Sequence, residues 1–112
     1  MHWRERNELV KDLLLKGHTV AFRLKGNFLY PRVWRGDWCT YEPIKDHGEI
    51  KVEDVVFCEV QYGNRFYAHL VKDIGDWNGR RCFTIANANG RVNGWCYDEH
   101  VYGKLIRVER GQ

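Results

Sequence analysis

Gly17 divides this chain into two stretches with different hydrophobic periods, and that division sets the fold class. Before it, Leu9, Val10, Leu13 and Leu14 recur at helical spacing, while Arg4, Arg6, Lys11, Asp12 and Lys16 fall largely on other faces. This predicts an amphipathic helix over about residues 3–16. A glycine just past the last periodic residue is a common helix stop. The simplest role for such a helix is packing on a sheet; docking a partner is the less economical one.

After Gly17 the pattern is of strands and turns. Val20, Phe22 and Leu24 alternate with Ala21, Arg23 and Lys25, the signature of a half-buried strand. Gly26-Asn27 and Arg35-Gly36-Asp37 carry turn chemistry. Residues 38–41 predict a short strand ending near Pro43, and residues 45–49 a polar loop. Residues 54–60 are β-rich, Tyr62-Gly63-Asn64 is a hairpin signal, and residues 65–72 follow as the partner strand. Residues 75–79 predict a turn, 81–86 a strand, 87–94 a loop rich in Asn and Gly, and 100–108 a last strand with Gly103 inside it. The expectation is a single domain over residues 1–112, mainly β, with the helix at about 3–16 and the β region at about 19–108. A small coiled or barrel-like antiparallel sheet is favoured over a flat one, because closure hides edges.

Composition narrows the chemistry. At 112 residues one domain is the length prior, and aromatics at 14% let a small chain bury a usable core. The formal net charge of +3 is too balanced to imply nucleic acid by itself. No apolar run approaches a membrane span, and no apolar stretch follows the charged N-terminal residues, so neither a membrane partner nor a secretory signal is expected. The chain contains no serine, which excludes every serine-nucleophile mechanism. Cys39, Cys58, Cys82 and Cys96 show no C-x-x-C spacing, so reduced, buried thiols in a cytoplasmic protein are the default reading. A metal site from Cys96, His100 and His47 lacks ligand pairs. No phosphate-cradling Gly-rich loop follows a strand and opens a helix, so no cofactor is expected.

Several segments carry a family pattern in order. They are Lys25-Gly26-Asn27-Phe28-Leu29-Tyr30-Pro31 with Arg35-Gly36-Asp37-Trp38, then Glu53-Asp54-Val55-Val56, then the strand Phe66 to Val71. The Gly/Asn-rich stretch Asn87 to Trp95 and the closing strand Val101 to Ile106 complete the set. This order resembles the serine peptidase superfamily of signal peptidases and repressor-cleaving peptidases, over roughly residues 10–108. The resemblance implies that superfamily's small β fold. It places Phe28 at the nucleophile position, Leu29 at the Met that follows it, and His69 at the general base of the His-type members. A phenyl ring cannot attack a carbonyl, and a base without a hydroxyl to deprotonate has no role. Some members draw an acidic third residue from the Gly/Asn-rich loop; here Asn87, Asn89 and Asn93 are neutral. The resemblance therefore implies a pseudoenzyme with the degenerate site Phe28, His69 and Asn93.

Binding an extended peptide does not require the serine. The resemblance makes Gly26, Asn27, Phe28, Leu29, Tyr30, Pro31, Trp34, Trp38, Tyr67 and His69 the candidate groove for a protein or peptide partner. Phe28 either folds inward and plugs that groove or stays exposed as an anchor; equally, the rings crowding this region are the core of a small domain. A nucleic-acid module is the rival reading, since Arg23, Lys25, Arg32 and Arg35 interleave with Phe22, Phe28, Tyr30 and Trp34. A solvated strand face explains those basic residues as well. A hydrolase using Cys39 as nucleophile is the third; it requires a base within reach and a lowered thiol pKa.

Overall fold

The chain begins with helix α1, Trp3–Leu15, and continues through seven strands: β1 Val20–Arg23, β2 Trp38–Pro43, β3 Val55–Val60, β4 Arg65–Trp77, β5 Arg80–Ala86, β6 Val92–Tyr97 and β7 Val101–Glu109. This computed structural model describes residues 3–60 and 65–111. The hairpin signal at residues 62–64 lies outside them, although β3 and β4 pair antiparallel on either side of it. Among the described residues, no helix is long and apolar enough to cross a membrane.

The helix ends as its sequence requires. Gly17 N–H donates to Leu14 O at 3.0 Å and His18 N–H to Leu13 O at 2.9 Å, the paired bonds of a Schellman stop. The buried stripe is Asn7, Val10 and Leu14; Leu9, expected on the apolar face, is 46% exposed.

All strand pairs are antiparallel and form one sheet in the order β1-β2-β7-β3-β4-β5-β6. The sheet is coiled but not closed: β1 and β6 remain as edges. Register shifts in β2, β3, β4 and β5 supply the bending. The curl brings β6 over β3, where the Cys58 and Cys96 thiols hydrogen-bond, a contact that with burial pushes the Cys58 pKa up. A Cβ on Gly94 would meet Val60 at 3.1 Å in the same crossing.

β3 supports both cores. Val55 and Phe57 join Val10, Leu14, Tyr41 and Tyr102 on one face; Val56, Cys58 and Val60 join Val71, Phe83, Ile85 and Cys96 on the other. Burial on both faces accounts for its nearly uninterrupted apolar run.

Two boundaries differ from expectation. β4 runs on to Trp77, and the turn is only Asn78-Gly79, whose φ values of 53° and 77° fit a two-residue type I′ hairpin. The stretch taken as a loop to Gly94 is shorter, because β6 begins at Val92 and pairs with β5.

Gly103 seats the helix on the sheet: a Cβ there would lie 2.9 Å from Leu14 Cδ1 and 3.1 Å from the Glu42 carbonyl oxygen. Gly103→Val should therefore cost about 1–3 kcal/mol through overpacking, read as a lowered urea midpoint with an unchanged slope. An unchanged midpoint would contradict this seating.

Candidate functional site

Residues 24–37 form a loop shaped by Asp37. Its carboxylate accepts the backbone N–H of Trp34 at 2.8 Å and of Gly111 at 3.1 Å, and the Arg110 guanidinium at 3.3 Å. The Trp34 N–H does most to hold this carboxyl below its ordinary range; Gly111 and Arg110 add to it, and burial opposes. Leu24 N–H donates to Asp37 O and Gly36 N–H to Leu24 O, both at 2.9 Å, closing the base of the loop. Leu29 and Val33, four apart and fully buried, pull the loop onto the core. That leaves Phe28, Tyr30 and Trp34 about half exposed. The Phe28 ring lies across Gly26, where any Cβ would come within 2.6 Å of it.

The opposite wall comes from β4. Residues 65–70 pair with β3, and residues 70–77 pair with β5, so β4 changes partner at Leu70. Among the described residues, the other edge of 65–69 has no strand partner. His69 sits here, 6% exposed, its ring centroid 5.4 Å from Phe28 and 4.9 Å from Tyr67. Burial lowers its pKa below the ordinary value of 6.5, with the Ala68 backbone pulling weakly the other way, so the ring is neutral at pH 7. The loop before β6 closes the site: Ala88 N–H donates to Phe28 O at 2.8 Å, and Asn87 N–H to Arg91 O at 2.9 Å.

Phe28 stands between two clefts. The larger, about 860 Å³, is lined by Asn27, Tyr30, Trp34, Arg35 and Asn89. The smaller, about 480 Å³, lies between Phe22 to Lys25 at the end of β1 and Phe66 to His69 of β4, with Arg6, Asn7 and Asn93 also contributing. Phe28, Asn87 and Arg91 line both. Two features set this region apart. No Asp or Glu lines either cleft, whereas Arg6, Arg23, Lys25, Arg35 and Arg91 do. Four buried polar atoms around the smaller cleft, Arg6 Nε, His69 Nδ1, Asn87 Oδ1 and Asn93 Oδ1, have no hydrogen-bond partner. Such atoms are few in folded proteins; of the six among the described residues, only Tyr41 Oη and His100 Nδ1 belong to residues outside both clefts.

The structure thus brings together Asn27, Phe28, Tyr30, Trp34, Tyr67, His69 and Asn93. Three candidates fall elsewhere. Leu29 is a core residue, because the loop needs it as an anchor. Trp38 is exposed on β2, beneath the Arg23 guanidinium at 5.0 Å and outside both clefts. Pro31 lines neither cleft and contributes its carbonyl, which accepts Trp34 Nε1–H at 3.2 Å. Gly26 acts from beneath the Phe28 ring. Asn93 belongs to β6, not to a loop. Sequence reading missed Arg6, Asn7 and Phe66; a polar Asn7 on the buried helix stripe was the available signal.

Cys39 is fully buried in the core, away from both clefts, and burial with the Asp37 charge pushes its thiol up to about 11. It stays protonated at neutral pH and has no access to the clefts. Among the described residues, no group of three or more His, Cys, Asp or Glu could hold a metal ion. No family model, curated protein or solved structure matches this chain.

Because the His69 pKa is depressed in the fold, the unfolded chain takes up the proton first. Its contribution to stability is full above about pH 6.5 and is lost as the pH falls through that value toward the native pKa. Between neutral pH and about pH 5, wild type should lose more Tm than His69→Gln. Equal losses would contradict the burial assigned to this ring.

Proposed function

We propose that this chain is a non-catalytic relative of the signal peptidases and repressor-cleaving peptidases that binds an extended protein segment in the cleft between β1 and the first half of β4. The observation that carries the reading is the one-sided pairing of residues 65–69, facing a cleft whose far wall is the edge strand β1. Backbone groups unpaired within the sheet give an extended peptide both donors and acceptors, and side-chain pockets add selectivity. The superfamily assignment draws support from the proximity of Phe28 and His69, the positions it gives to nucleophile and base.

The same cleft argues against turnover. Among the described residues no Ser, Thr or Cys lines it, so the neutral His69 has no aliphatic hydroxyl or thiol nucleophile to activate. Phe28 neither plugs the core nor closes the groove; it forms the partition between the two clefts and suits an anchoring role.

Nucleic acid fits less well. Base stacking needs open ring faces. Here Phe66 stacks on Phe57 at 5.6 Å and Phe22 on Tyr41 at 5.1 Å, and the half-exposed Trp34 is already flanked by Tyr30 at 5.1 Å and the Arg110 guanidinium at 4.8 Å, which leaves Phe28 and Tyr30 as the open rings.

Phe28→Ala should remain folded, since the ring is half exposed, and should weaken a labelled extended peptide several-fold in fluorescence anisotropy. Wild type should leave the peptide intact by mass spectrometry. Unfolding of the variant, unchanged affinity, or peptide cleavage would each contradict the proposal.

A further inference from the structure

The smaller cleft combines a one-signed charge lining with unsatisfied polar atoms, and together these specify its occupant more closely than strand edges do. Elsewhere among the described residues, carboxylates pair with Lys11, Arg32, Arg80, Lys104, Arg107 and Arg110, while Lys16, Lys45, Lys51, Arg65, Lys72 and Arg81 stand without one; what is particular to the clefts is that their charged lining is cationic throughout. Among the described residues, Arg6, Arg23, Lys25, Arg35 and Arg91 form no ion pair, and these are the cations that line the two clefts. Arg23 instead lies over Trp38 and Arg6 over Phe22, contacts that leave the charge of each uncompensated.

The unpartnered atoms point the same way. Arg6 Nε–H is a donor, and the neutral His69 imidazole donates from Nδ1 in one tautomer. Asn87 and Asn93 leave an acceptor, Oδ1, unpartnered; turning the amide over would put the Nδ2 donor in its place. His69 and Asn87, each more than nine-tenths buried, stand in the wall of the cleft. An occupant carrying anionic oxygens would accept from Arg6 Nε–H and from His69 Nδ1–H in that tautomer, and would answer the unpaired cations of the lining. A cationic occupant would be repelled by the cations of the lining, with no carboxylate there to pair with it.

We infer that the segment bound between β1 and β4 is an acidic one, an extended peptide bearing Asp or Glu, with a side-chain carboxylate seated among Arg6, His69, Asn87 and Asn93. The inference rests on the peptide-binding reading above and adds the chemistry of the partner. A peptide is favoured over a polyphosphate chain because the walls of the cleft are strand edges and the rings around it already have faces covered.

The test uses the full chain and four labelled probes in fluorescence anisotropy: a short peptide alternating Val with Glu, its Val–Gln and Val–Lys counterparts, and an oligothymidylate. The Val–Glu peptide should bind about tenfold more tightly than the Val–Gln peptide, the scale of one charge-assisted contact. That gap should narrow as salt shortens the screening length from about 30 Å at 0.01 M to about 8 Å at 0.15 M. Replacing Lys25 and Arg91, both exposed and free of structural ion pairs, by Gln should narrow the gap as well. Equal binding of the Val–Gln or Val–Lys peptide would overturn the acidic partner and leave the peptide cleft standing. Oligothymidylate binding without peptide binding, or no binding by any probe, would overturn both.

Discussion

The change of partner at Leu70 is the constraint on which the rest of the arrangement depends. β4 lends its first half to β3 and its second half to β5, and one strand cannot do this without leaving part of an edge unpaired. An open edge is a liability in a small β protein, commonly covered, charged or bulged away. Here it is set opposite the edge strand β1, with the loop that begins Asn87-Ala88 across one end and α1 contributing Arg6 and Asn7. The cleft is therefore a consequence of topology, and the side chains that furnish it arrive from five separate parts of the chain.

Rigidity around the cleft comes from a different quarter. Asp37 spends its carboxylate on Trp34, Gly111 and Arg110, so the one acid near the site is consumed in fastening the loop to the C-terminal segment. Leu29 and Val33 fasten the same loop to the core. What remains outward is cationic and aromatic. A net charge of +3 hides this, because most acidic residues sit away from the clefts, several of them in ion pairs; the local field, not the total charge, describes what the cleft attracts.

Much of the architecture could be read from the residues alone. The helix with its glycine stop, the alternating β1, the doubly buried β3 and the closing β7 all announce themselves through period and composition. β6 did not: Asn93 and Gly94 look like loop residues, and the glycine is explained by the close passage over Val60 together with its φ of 151°. The extension of β4 was masked by Gly75, which sits within the strand opposite Cys82. In the site, the Phe28 and His69 rings lie 5.4 Å apart, a separation that no local sequence feature of either residue fixes. The partition of the loop into anchors and exposed rings did not follow from the residues either, since nothing local separates Leu29 from Phe28 or Trp38 from Trp34; tertiary packing decides which side chains turn inward. The contribution of Arg6 from the helix was equally hidden, because helix and cleft are joined only by the fold.

Amide hydrogen exchange with the Val–Glu peptide bound at saturation tests the central claim most directly. Occupation of the cleft predicts slowed exchange in residues 65–69 and at the end of β1, with little change in the β4–β5 hairpin around Trp77 and Arg80. Slowing confined to that hairpin, or no slowing at residues 65–69, would contradict it.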